Sequence, residues 1–270
     1  MAKRVSESEA FRVIKIWRAL WAKLPGFGYK VLPQADPSLT FANSAPDPRQ
    51  QVWPHHDVLR LVQCAWREGY YGLAALLAVA WDTMLSPTDT RTLTIGQRLN
   101  DGQGSYFDLA RAKTGKAAAG TLSQWSEAIL NTYLGKLGVE LHDAAPIFWT
   151  RGGTSTAKGG RPWPPRPYSS DRLGIDFRKI RALVFGPNDE RQIQDMRRSG
   201  AVEAVRGDAT PTKLSAKMAN TISASNRLHR TYVPVDVATV RDVDDARAIS
   251  RERIKSKKLQ LQSAKKLQPK

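Results

Sequence analysis

Cysteine is almost missing. Cys64 is the only one in 270 residues, so neither a disulfide framework nor a cysteine-based zinc site can be built, and a reduced setting fits. Histidine is scarce as well, and His55-His56 have no third donor at metal-ligand spacing, which leaves them as linker residues. No stretch approaches the ~20 apolar residues of a membrane span. The start Met-Ala-Lys-Arg runs into Ser and Glu rather than an apolar signal core, so a cytoplasmic protein is expected. Glycine-rich phosphate loops and Cys/His or carboxylate metal clusters are absent, and no cofactor or metal is expected. Acidic residues are also short, 25 against 42 Lys and Arg. The resulting net charge of +17 favours a polyanionic partner, nucleic acid first and a membrane surface second.

What remains is enough for a core, with 41% hydrophobic residues. From Ser8 to Leu24 the apolar residues recur at helical spacing until Pro25-Gly26 stops them, giving one amphipathic helix without an obvious partner. Residues 25 to 54 carry six prolines among polar residues and read as a linker and domain boundary. A helix follows from His56 to about Arg67. Tyr71 to Met84 is apolar on nearly every face, as a helix buried in the core must be. Ser86-Pro87-Thr88-Asp89 then has the form of an N-cap, a proline in the first turn and an early acid, and predicts a short helix.

Ile95 to Lys113 is the best strand region, with Ser105 to Leu109 as a strand, Thr114-Gly115-Lys116 as a turn and a weak second strand near Leu122. This predicts a small hairpin with basic residues at its tip. Helix returns at Gln124 to Leu137 and at Leu173 to Leu183, separated by a basic, aromatic loop from Arg151 to Pro167. Three closely spaced helices then run from about Met196 to Arg206, from Thr210-Pro211 to Ala219 and from Ser223 to about Thr231. Pro234 ends the run. Arg251 to Lys270 is Lys-rich with few apolar residues, a tail that is disordered or helical only when docked.

Three segments carry candidate chemistry. Gln194 to Asp236 places Arg197 at the start of one helix and Tyr232 at the end of another. Ala112 to Lys116 places Lys113 in the hairpin. Leu76 to Ile95 joins the buried helix to the capped turn at Ser86. Together, over roughly Trp53 to Asp236, they resemble the catalytic domain of the tyrosine recombinases, the phage-type integrases. The resemblance puts Arg197 on the arginine of H-x-x-R, Tyr232 on the nucleophile and Lys113 on the hairpin lysine. With Asp89 on the acidic position of G-L-R-x-x-E-L, the family's first arginine falls on Ser86. The histidine of H-x-x-R falls on Gln194, and the H/W position falls on Asn220, twelve residues before Tyr232 and further than is usual. Three positions thus match and three depart.

The resemblance implies a fold that is mainly α with a small antiparallel β-sheet. Residues 1–50 are then an N-terminal helix and linker, a possible remnant of a core-binding domain; 51–236 form a catalytic-like domain and 237–270 a basic tail. It also implies attack by a tyrosine hydroxyl on a DNA phosphate, arginines on the nonbridging oxygens, and a lysine that protonates the leaving 5′-oxygen. Gln194 and Asn220 can donate hydrogen bonds but cannot shuttle a proton as imidazole does, and Ser86 carries no charge. Arg91 is a candidate substitute, although five residues of helix place it off Ser86's face. His229, one turn before Tyr232, is a candidate proton acceptor.

Arg111, Lys116, Arg198 and Arg161 are expected to touch DNA. The expected partners are double-stranded DNA and either a second copy of the chain or an active integrase, with no membrane. Plainer readings stand beside these: Tyr232 as a core aromatic, Arg197-Arg198 as a solvated helix start, Lys113 as a surface lysine and Ser86 as a cap alone. Two functions remain open: a recombinase that breaks and rejoins DNA through a 3′-phosphotyrosyl bond, and a homologue that binds DNA without cutting it.

Overall fold

A computed structural model describes residues 6–28, 35–44, 51–153, 162–207, 209–219 and 237–266. The chain divides into two compact units, Met1–Gln50 and Gln51–Lys270.

In the first unit, helix α1 spans Glu7–Trp21, with Ser6 as N-cap accepting a hydrogen bond from the Glu9 amide. It ends before Leu24–Phe27, which form a 3-10 turn, so the helix is shorter at its end than apolar spacing predicts. Residues 35–44 fold back along it. Trp17 Nε1 donates to Asp36 Oδ1 at 2.9 Å, and Arg18 donates to the carbonyls of Ser38 and Phe41 at 2.8 and 2.9 Å. No residue of α1 is buried, and Val13, Ile16 and Leu20 stand exposed.

The second unit is built around α3, Tyr71–Thr83, in which every residue from Gly72 to Thr83 is buried. Helices α2 (His55–Arg67), α5 (Gln124–Leu137), α6 (Ser170–Phe185) and α7 (Ile193–Arg206) pack against it. Their interface is aliphatic and aromatic and supplies most of the hydrophobic stabilisation. Gly72 is fixed by close approach: a Cβ there would lie 2.1 Å from the Trp149 carbonyl oxygen, so no larger residue fits without moving backbone. Trp53 anchors the start of the unit to α7. Its backbone amide donates to Ser199 Oγ, its indole donates to the Gln192 carbonyl, and the Arg191 guanidinium lies 4.0 Å over its ring.

The sheet is antiparallel, in the order β1 (Arg98–Asn100), β2 (Ser105–Ala110), β3 (Ala117–Thr121). The hairpin expected from sequence is β2–β3, with Leu109 opposite Ala118 and Ala110 opposite Ala117. The structure adds β1 as a third strand and starts β3 ahead of Leu122. Alanine-rich β3 carries little strand propensity and is set by pairing instead. Along β2 the burial alternates: Ser105, Phe107 and Leu109 face inward, Tyr106, Asp108 and Ala110 do not.

Helix α4 (Pro87–Arg91) follows α3, and α8 (Pro211–Met218) follows α7. The segment read from sequence as one basic tail is divided by the structure. It forms helix α9, Val237–Lys266, whose first half packs on α7, α8 and β3, while residues 252–260 are exposed. Val240, Val243 and Ala246 bury one stripe, and Gly207 of the turn after α7 approaches so closely that a Cβ would lie 1.5 Å from the Ala246 carbonyl oxygen.

Ion pairs complete this joint. Arg247, 1% exposed, donates to Glu203 Oε2 at 3.1 Å and to the carbonyls of Trp81 and Asp82, each at 2.9 Å. Arg251 donates to Glu203 Oε1 at 2.9 Å. Lys217, fully buried, donates to Thr121 Oγ1 and Asp244 Oδ1, both at 2.6 Å. Small apolar residues interleaved with charges give too weak a periodic signal to reveal a docked helix in the sequence.

Candidate functional site

The site begins where α3 stops. Met84, fully buried, has φ 55°, a left-handed conformation uncommon for a side chain of this size. This turns its carbonyl toward α7, where Arg197 Nη1 donates to it at 2.6 Å. Two residues on, Ser86 caps α4: its Oγ accepts from the Asp89 amide at 3.2 Å and donates to Asp89 Oδ2 at 2.7 Å. Pro87 fits the first turn because its missing N–H has no partner to lose there. Asp89, 1% exposed, thereby becomes a fixed carboxylate at the head of the site.

Arg111 reaches that carboxylate from the end of β2. Its Nε donates to Asp89 Oδ2 at 3.1 Å, and the neighbouring Ala112 amide donates to Asp89 Oδ1 at 2.9 Å. Arg111 Nη1 donates to the Ala219 carbonyl at 3.1 Å. Arg197 Nη2 donates to the adjacent carbonyl, that of Met218. The C-terminal end of α8, with its orphan carbonyls and negative dipole end, therefore holds two guanidiniums side by side.

Burial works to raise the Asp89 pKa, but the hydrogen bonds from Ser86, the Ala112 amide and Arg111 overcome it and hold the carboxyl below its ordinary range. Arg197 is lowered to about 10 by burial, with the Arg111 charge adding to the effect and Asp89 opposing it. Among the described residues Arg197 has no carboxylate in ion-pair contact. Asp89 is in contact with Arg111 alone, so among the described residues the pair of guanidiniums has one contacting carboxylate.

No family model matches the chain, and no curated protein matches it in sequence. Solved structures do. A lambda integrase dimer bound to a COC′ core site superimposes with a TM-score of 0.55 at 14% identity, covering 85% of this chain and 60% of that one. The chain has the tyrosine recombinase catalytic-domain fold. The XerA recombinase gives a TM-score of 0.48 at 15% identity, covering 89% of this chain and 76% of that one. XerH bound to a difH substrate gives 0.47 at 13%, covering 67% and 49%. This chain thus spans from about half to three quarters of the recombinases it resembles.

Within the recombinase fold the sequence-predicted residues are not all neighbours. Lys113 is exposed in the β2–β3 turn, where the Thr114 and Gly115 amides donate to the Arg111 carbonyl; Lys116 is partly buried in the same turn. Gln194 is exposed, and its amide donates to Gln192 Oε1 at 2.8 Å rather than toward Arg197. Arg198 is partly buried beside Arg197 in sequence. Arg91 donates to the Tyr168 carbonyl at 2.9 Å, so its guanidinium is engaged at the start of α6 and not at Asp89.

Tyr232, Asn220, His229 and Arg161 lie outside the described residues, as does the predicted helix from Ser223 to Thr231. Asn220 is covalently next to Ala219, the residue that holds Arg111. Among the described residues no group of three or more His, Cys, Asp and Glu is placed to hold a metal, and no helix is long and apolar enough to cross a membrane.

Sequence reasoning placed Arg111 only among general DNA contacts. The signal that locates it is alternation: Ser105, Phe107 and Leu109 point inward, and the next position of that parity is Arg111. Its amide still donates to the Lys116 carbonyl at 2.8 Å, which extends the ladder one step past β2.

Proposed function

We propose that this chain breaks and rejoins double-stranded DNA through Tyr232. The observation that carries the reading is Arg197, partly buried, fixed by the Met84 and Met218 carbonyls, and without a carboxylate contact among the described residues. A preorganised guanidinium of this kind suits an anion whose charge grows in a transition state. The recombinase fold and the net charge of +17 support DNA as that anion.

In the reaction, the Tyr232 oxygen bonds to phosphorus as the bond to the 5′-oxygen breaks. The phenol proton is lost to solvent and Lys113 supplies one to the leaving oxygen, so the proton balance closes when Lys113 is reprotonated. The 3′-phosphotyrosyl bond conserves the energy for rejoining, and the free 5′-hydroxyl reverses the step. A second copy of the chain, or an active integrase, supplies the other strand exchange partner. Loss of an arginine at the first clamp position removes a contribution on the order of 10³- to 10⁵-fold where such a clamp is fully used, so turnover is slow unless another residue makes that contact.

Ser86 at that position also supports the second reading, a homologue that occupies DNA or pairs with an active partner without cutting. The two are separated by one experiment. A duplex selected from a random pool by the full chain is nicked to trap the product, and denaturing gels are read for protein attached to a 3′ end. An adduct that disappears in Tyr232→Phe supports strand breakage. Retained duplex without adduct supports binding alone, and an adduct that survives Tyr232→Phe moves the nucleophile elsewhere.

A further inference from the structure

Two side chains from distant parts of the chain converge on one oxygen. Ser86 Oγ and Arg111 Nε both donate to Asp89 Oδ2, at 2.7 and 3.1 Å. Ser86 stands where the recombinase resemblance places the first arginine, and it is too short and uncharged to grip a phosphate. The Arg111 guanidinium lies at the oxygen toward which the Ser86 side chain points. Its side chain is only 13% exposed, and the Asp89 carboxylate, the Ala219 carbonyl and the strand parity of β2 all fix its direction. Arg197 is bonded one residue away, at the Met218 carbonyl.

The charges make the same point. A pin between the hairpin and α4 needs one arginine and one carboxylate, and Arg111 with Asp89 supplies both. Arg197 then adds a second partly buried guanidinium bonded to neutral carbonyls. The Arg111 charge acts against that of Arg197, only Arg111 contacts the carboxylate, and an anion bound to both guanidiniums relieves the repulsion. Each terminal guanidinium nitrogen carries two N–H groups, so those not used on the Met84, Met218 and Ala219 carbonyls can donate to the two nonbridging oxygens of a tetrahedral phosphate.

We infer that Arg111 replaces the arginine missing at Ser86, and that Arg111 and Arg197 together hold the nonbridging oxygens of one DNA phosphate. The inference rests on the recombinase reading above. Asp89 is then a positioning residue, which with the Ala219 carbonyl fixes Nε and Nη1 of Arg111 and leaves Nη2 to meet the anion. The charge lost at one position of α4 is restored from β2, a different element.

The test is a phosphate-by-phosphate map that does not require cleavage. The pool-selected duplex is ethylated at random phosphates, which neutralises each in turn, and binding interference is compared for the wild-type full chain, Arg197→Ala and Arg111→Ala. Both variants are expected to lose interference at one and the same phosphate and keep it elsewhere, with the salt slope of binding falling by about one phosphate contact each. A pattern in Arg111→Ala that is unchanged, or that shifts across the whole footprint, overturns the inference, because a hairpin pin predicts those results.

If Arg111→Ala fails to fold, Arg111→Lys keeps a cation for Asp89 but loses the fork, and it should weaken interference at that phosphate several-fold; full interference there overturns the inference. Wild-type binding without covalent adduct defeats strand breakage while leaving this map decisive for Arg111. Failure of the wild type to retain any duplex defeats both readings.

Discussion

Two arginines reach the end of α3 and are treated differently. Arg247, from α9, donates to the Trp81 and Asp82 carbonyls and also meets Glu203, which Arg251 shares. Arg197, from α7, donates to the Met84 carbonyl two residues further on and to the Met218 carbonyl, with no carboxylate contact among the described residues. The first is a closed joint, in which a buried charge has its counter-charge and every element is locked. The second is open on its electrostatic side. Stability should therefore reside in the Arg247 joint and DNA chemistry in the Arg197 centre, and the comparison can be broken by mutation.

The largest effect is expected at the closed joint. Arg247→Ala leaves Glu203 buried with only the partly exposed Arg251, and should cost about 3–5 kcal/mol in urea unfolding. A cost under about 1 kcal/mol would mean that α9 is not held by this pair. Lys217→Met should cost about 2 kcal/mol, since Asp244 is partly exposed and tolerates loss of its partner better. Adding Asp244→Leu should recover most of that loss. A double variant no more stable than the single would show that the pair is not acting as a unit.

His55 reports on the same region through pH. Its pKa is lowered to about 4, first by burial and next by the Arg251 charge, against about 6.5 in an unfolded chain. The folded state thus binds fewer protons than the unfolded state between those values. The stabilising contribution is complete above about pH 6.5 and is lost as pH falls toward 4. Because the ring is partly exposed, solvent screening limits the effect to about 1–2 kcal/mol. The unfolding midpoint should drop over this window in the wild type and less in His55→Phe, which keeps a ring beside Trp81 and Trp125. Equal slopes would remove His55 as the cause.

At the open centre, stability effects should be smaller. Ser86→Ala removes the α4 cap and one hydrogen bond to Asp89, for about 1 kcal/mol by thermal unfolding. Arg197→Ala should be the mildest of all, under about 1 kcal/mol, because relief of a desolvated charge offsets the loss of two carbonyl contacts. The same variant should abolish covalent adduct on the nicked duplex. Destabilisation as large as that of Arg247→Ala would erase the distinction between the two arginines.

Much of the fold could be read from residue order. The unbroken apolar run from Tyr71 to Met84 admits only a buried helix, and Ser86-Pro87 with Asp89 specifies a capped turn by local hydrogen bonding alone. The strand alternation in Ser105 to Leu109 set the hairpin. The docking of α9 was not legible, because its buried stripe consists of Val240, Val243 and Ala246 among charges whose partners, Glu203 and Thr121, are on other elements. Arg91 and Arg111 show the same limit at the site. Arg91 is near Ser86 in sequence yet bonds to Tyr168, whereas Arg111 is 25 residues from Ser86 and shares its carboxylate oxygen.

The sequence by itself determined the helical core, the hairpin, the cap at Ser86 and the cationic character that calls for a polyanion, since these follow from local periodicity, capping chemistry and charge count. Tertiary structure alone decided which of the described basic side chains meet a carboxylate and which, like Arg197, meet only carbonyls. That choice depends on distances of a few ångströms between residues remote in the chain, such as Arg247 to Glu203 and Arg111 to Asp89. Coulomb energy and desolvation are fixed by that spacing and not by sequence separation.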